Sequence, residues 1–71
     1  MATVDTDTRI RDNDVVELRR PIGIWPAGRL GAVVFENGPW KLVEIADDQG
    51  QMLDLISIPE SDLTLVEKYS G

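Results

Sequence analysis

Apolar and polar residues alternate with a period of two through most of this chain. Nowhere does an apolar stripe recur at helical spacing over a useful length. Residues 14–19, DVVELR, put Val16 and Leu18 on one face and Val15 and Glu17 on the other, which predicts a first strand. Pro21 ends it, because proline cannot donate to a ladder. Residues 31–36, GAVVFE, predict a second strand with Gly31, Val33 and Phe35 on a shared face. Residues 40–46, WKLVEIA, predict a third. Lys41, Val43 and Ile45 share one face and Trp40, Leu42 and Glu44 the other; with Glu44 outward, Val43 and Ile45 are the core pair. Residues 51–58, QMLDLISI, predict a fourth strand whose faces stay open. Asp54 falls with Met52, Ile56 and Ile58 against Leu53 and Leu55, a conflict that a bulge would resolve. Residues 64–67, TLVE, give a short last strand.

The punctuation between these runs is equally regular. Asn37-Gly38 supplies positive φ for a tight turn, with Pro39 behind it, so the second and third strands read as a β-hairpin. Asp47-Asp48-Gln49-Gly50 makes the next turn. Residues 59–63, PESDL, predict a single 3₁₀ turn, with Pro59 fixing φ and Leu63 plugging the core. Residues 20–30, RPIGIWPAGRL, form a long loop that carries Ile22, Ile24, Trp25 and Leu30; a loop this apolar folds back over one mouth of a small barrel. Residues 1–13 read as a flexible N-terminal tail, with a loose edge strand over Val4 to Ile10 as the alternative. The domain proper is 14–67, and 68–71 are a C-terminal tail. The class is all-β.

Five short strands, a long first loop and a 3₁₀ turn before the last strand resemble a Src-homology-3-like barrel. Around the hairpin, Gly28, Gly31 and Val33 resemble a KOW motif, in which a glycine precedes a valine strand. More closely, DVVEL, Pro21, Gly28-x-x-Gly31-x-Val33-Val34, Val43-Glu44-Ile45 and Pro59 to Leu63 are similar to a bacterial family of small proteins to which no activity is assigned. The resemblance covers roughly residues 14–66. It implies a small five-stranded Src-homology-3-like barrel and a place among toxin–immunity and other accessory gene pairs. Arg29 departs from it, since relatives often carry an acidic or small residue there.

A chain of 71 residues is one domain that buries about 60% of its extended surface, so a deep catalytic cleft would consume much of the core. There is no cysteine and no histidine, which removes disulfides, thiolate chemistry, the commonest general base and the commonest zinc ligand. Ser57, Ser61 and Ser70 therefore have no imidazole to activate them. Asp47 to Gly50 is too short for a calcium loop, and Gly28 to Gly31 leads into a strand, not a phosphate-binding helix. The expectation is no enzyme, no metal and no cofactor. No apolar run reaches membrane-spanning length, which leaves a cytoplasmic protein as the default.

The net charge is -6, and it lies entirely in residues 36–71, where eight acids face only Lys41 and Lys68. That half opposes nucleic acid and favours a basic protein partner. The candidate partner-binding face is Glu44, Asp47, Asp48, Asp54, Glu60 and Asp62; its bland counterpart is an ordinary solvated surface. The second candidate set is the loop, with Arg20, Ile24, Trp25 and Arg29. Trp25 is either an interface hot spot or a lid on the core beside Ile22 and Leu30. The expected function is a non-enzymatic protein-interaction module, of immunity or antitoxin type or another accessory, binding a basic partner through its acidic half. The alternative is a KOW-like adaptor for RNA or a ribosome or polymerase assembly, using the Arg19–Arg29 loop. Self-association through an open strand edge is a further expectation.

Overall fold

The computed structural model describes residues 9–70, which contain five strands, one 3₁₀ turn and no α-helix. The strands are β1 (Val15–Leu18), β2 (Leu30–Asn37), β3 (Trp40–Ala46), β4 (Met52–Pro59) and β5 (Leu63–Glu67). The 3₁₀ turn is Glu60–Asp62, immediately before β5. All neighbours are antiparallel in one sheet of order β4-β3-β2-β1-β5, so β4 and β5 are its edges.

Local chemistry accounts for the turns. Gly38 and Pro39 form the two-residue loop between β2 and β3, which brings Asn37 opposite Trp40. Gly38 takes φ 61°. Positive φ at the first central position alone is the type II′ pattern, which requires glycine there. Asn37 is thus the last strand residue and not part of the turn. In the loop after β1, Ile22 and Trp25 exchange both main-chain hydrogen bonds at 2.9 Å around Gly23 and Ile24. Gly23, at φ 56°, makes a second turn of the same kind.

The core is Ile10, Val16, Leu18, Val33, Val43, Ile45, Ile58 and Leu63, with Ile22, Trp25, Ile56 and Leu65 packed against it. Val16 and Leu18, and the Val43–Ile45 pair, lie inward as their alternation predicts. Phe35 does not follow Gly31 and Val33. The register slips by one at Val34, so Phe35 pairs with Leu42 on the opposite, outer face and is 58% exposed. A second slip, at Leu53, settles the open faces of β4. Asp54, Ile56 and Ile58 stand opposite Ile45, Val43 and Lys41 on the inner side, while Leu53 and Leu55 are exposed.

The described parts of both expected tails, residues 9–13 and 68–70, make contacts with the domain. Residues 1–8, with most of the alternative strand from Val4, lie outside the described residues. Ile10, however, is a core side chain. Lys41 shares the inner face with Val43 and is buried; its Nζ donates to Gly38 O at 2.9 Å and lies 3.5 Å from Glu36 and 3.4 Å from Glu60. Those carboxylates also accept from the main chain of the N-terminal arm, Glu60 from Ile10 N–H and Glu36 from Asp12 N–H. At the other end of the chain, Lys68 and Tyr69 are tied to the buried Asp14.

Candidate functional site

The six acids proposed as one face do not form one. Four have structural partners. Asp47 Oδ1 accepts from Gln49 N–H and Gln51 N–H, both at 2.9 Å, which shapes the β3–β4 turn as short polar side chains do. Asp54 accepts the Trp25 indole N–H at 2.8 Å. Glu60 is held between Lys41 and Ile10. Asp62 pairs with Arg20 at 2.9 Å, an ion pair whose arginine is 65% exposed and therefore contributes little to stability. Asp48 is exposed at the β3–β4 turn. Glu44 stands half-buried in the middle of the outer face, opposite Ala32 on one side and Leu55 on the other.

The loop set is brought together in part. Trp25 is half-buried against the core, which makes it a lid, and its indole reaches Asp54 on β4. The Arg29 guanidinium lies 5.0 Å from the centre of the Trp25 ring and donates to Ala46 O at 2.7 Å. A cation over an indole face is worth about 0.5–2 kcal/mol, depending on its desolvation. Ile24 is 84% exposed at the apex of the tight turn. Arg20 is directed to Asp62 and takes no part in this cluster.

The outer face of the sheet carries what the sequence reading missed. Val15, Ala32, Glu44 and Leu55 are direct cross-strand neighbours from β1 to β4, and Phe35, Leu42 and Ser57 form the adjoining row. Phe35, Leu55, Trp40 and Leu30 are between 45% and 58% exposed there. The small side chains of Ala32 and Ala46 leave a shallow hollow of about 230 Å³ between Val15, Leu30 and Glu44. Glu17, Glu44 and Glu67 belong to this face. Among the described strands the single cation is Lys41, buried on the other side. The signal for this patch was the two apolar runs of alternating outward residues, Trp40–Leu42 and Leu53–Leu55.

Among the described residues no group of three or more acids is placed to hold a metal ion. The clearest electrostatic perturbation is structural. Burial pushes the Asp14 carboxyl up, but hydrogen bonds from Lys68 Nζ, Tyr69 N–H and Arg11 N–H, with the Lys68 charge, outweigh it and leave the group below its ordinary value. No helix among the described residues is long and apolar enough to cross a membrane. Comparison with protein-family models, curated proteins and solved structures gave no match.

Proposed function

We propose that this chain is a non-enzymatic protein-interaction module that docks an apolar, lysine- or arginine-bearing protein surface on the outer face of its sheet. The carrying observation is the run of Phe35, Leu42 and Leu55 across β2, β3 and β4, exposed or half-exposed, with Glu44 among them and no cation from the described strands on their face. Contiguous exposed apolar side chains are costly to leave in water and mark contact surfaces. Acids within such a patch select the partner's charge. The acidic contribution is therefore Glu17 and Glu67 on this face together with Glu44, which was among the six acids singled out by sequence position.

The strand order, with β1 between β2 and β5 and a 3₁₀ turn before β5, supports reading the sheet as a Src-homology-3-like barrel, and an immunity-type accessory facing a basic partner fits the same surface. The RNA-adaptor reading has less support, because Arg20 and Arg29 have intramolecular partners.

Affinity capture from the source cells, followed by titration of the purified captured protein, tests the proposal. Phe35→Ser and Leu55→Ser together should abolish that binding, and Glu44→Lys should weaken it. Equal affinity for the native chain and the double variant would remove the outer face from consideration.

A further inference from the structure

We infer that the two ends of the described chain close a single strap over the inner core, locked by Lys68, which opens as one unit while the sheet stays folded. The strap is residues 9–13 together with Lys68 and Tyr69. It closes the core side of the sheet, away from the outer face, and the inference does not depend on the partner reading.

Residues 9–13 lie in no strand. Asp14 N–H donates to Arg11 O at 3.1 Å, which closes a turn whose third residue, Asn13, takes φ 73°. Asparagine adopts that left-handed conformation more readily than most residues. The turn folds the arm back, and Ile10 reaches the core. The arm's hydrogen bonds to the acids of the domain are long. Ile10 N–H meets Glu60 at 3.3 Å and Asp12 N–H meets Glu36 at 3.4 Å. Asn13 N–H donates to Val33 O at 2.7 Å, at the point where the arm joins the sheet.

Shorter contacts come from the other end of the chain. Lys68 Nζ donates to Arg9 O and, at 2.8 Å, to Asp14 Oδ2. Tyr69 N–H donates to Asp14 Oδ1 and Arg11 N–H to Asp14 Oδ2, each at 2.8 Å. One ammonium thus holds both the arm's carbonyl and the carboxylate that anchors the tail. Charge-assisted bonds of this kind are roughly twice as strong as neutral ones. The lysine side chain is 34% exposed, so the lock sits at the surface while the carboxylate beneath it is buried.

Opening is separable from unfolding for two reasons. The strap contributes Ile10 alone to the buried apolar core, and the other members all lie on strands. Segments with few buried contacts and no ladder open locally at lower cost than core strands. Opening also leaves no charge unpaired in the interior. Lys41 keeps Gly38 O, Glu36 and Glu60, none of which belongs to the strap, while Asp14 and Lys68 become hydrated together. The device couples the chain ends. Whatever grips the tail or neutralises Lys68 is read at the arm as release of Ile10, and by linkage whatever holds the arm down orders the tail.

Native-state hydrogen exchange at increasing low denaturant tests the inference. In the native chain the Ile10, Arg11, Asn13 and Tyr69 amides are expected to share one opening free energy, lower and less denaturant-dependent than that of the β3 amides. Lys68→Met keeps the stem and removes the charge; it should speed exchange at all of these strap amides by at least about tenfold. Ile45→Val weakens the sheet in the closed and the opened forms alike. It should speed the β3 amides about two- to tenfold and leave the strap amides unchanged. Strap amides that exchange only with the β3 amides, or that follow them in Ile45→Val, would overturn the inference. So would strap amides without protection, or a Lys68→Met chain in which Tyr69 exchanges faster and Ile10 and Asn13 do not.

Discussion

Asp14 shows how much of this small structure hangs on single side chains. The carboxylate is 1% exposed and receives Arg11 N–H, Lys68 Nζ and Tyr69 N–H, while its own carbonyl accepts from Val33 N–H. Breaking such a buried, charge-assisted set costs about 3 kcal/mol, so Asp14→Asn should lower the chemical-denaturation midpoint clearly at neutral pH. Because the folded-state pKa is depressed, the stabilisation is complete above the unfolded value of about 3.9 and is lost as pH falls through the lower folded value. Denaturation of native chain and variant across acid pH should show a constant gap above about pH 5 that closes only below the ordinary carboxylate range. Gly31 is a second such position. A Cβ there would sit 2.5 Å from Val43 Cγ1, 3.0 Å from Glu44 O and 3.1 Å from Ile45 Cδ1. The valine tip could turn aside, but the carbonyl belongs to the ladder. Gly31→Ala should therefore destabilise by about 1–3 kcal/mol in thermal or urea melts, although alanine is ordinarily the better strand residue.

At the scale of elements, the N-terminal arm and the strand bulges are informative. Ile10 is buried, and the arm's N–H groups rest on Glu36 and Glu60, which are in turn neutralised by Lys41. Ile10→Ala should cost about 2–4 kcal/mol, measured by urea denaturation, which a flexible tail residue would not do. Sequence could not reveal this, because Ile10 is a lone apolar residue among Arg, Asp and Asn, and its burial is decided by strands that follow much later. The strands themselves were legible, since their alternation survives in every register. The bulge at Val34 was not, and the reason is geometric. The Gly38-Pro39 turn fixes Asn37 opposite Trp40 and Phe35 opposite Leu42, whereas core packing sets Val33 against Val43. These pairings differ by one residue, so one must be left out, and no property of GAVVFE itself says which. The surroundings of the candidate residues were hidden in the same way. Trp25 was identifiable as lid or anchor from composition, but the partners of Asp54, Glu60 and Asp62 are contacts across the fold that clustering in sequence cannot anticipate.

For the molecule as a whole, the core and the proposed contact surface lie on opposite sides of one thin sheet, so folding and the proposed binding are separable by mutation. Ile58 is fully buried and Phe35 is 58% exposed, although both are large apolar side chains in strands. Ile58→Ala should cost about 2–5 kcal/mol, while Phe35→Ser and Leu55→Ser should each stay below about 1 kcal/mol, because those side chains already meet water in the folded state. Thermal melts of the three variants check this, and large losses for the outer-face pair would mean that the patch is part of the fold and not a surface held ready. The electrostatic half of the argument has its own measure. Glu44 carries the negative charge most central to the patch, and the net charge of -6 extends that field. Association with a basic partner should slow as salt rises, with Glu44→Lys reducing the on-rate about tenfold at low salt and the difference shrinking once the screening length falls to about 3 Å near 1 M. Stopped-flow or surface-based kinetics over that salt range would register the effect. An on-rate insensitive to both salt and Glu44 would leave the apolar contact standing and remove the requirement that the partner be basic.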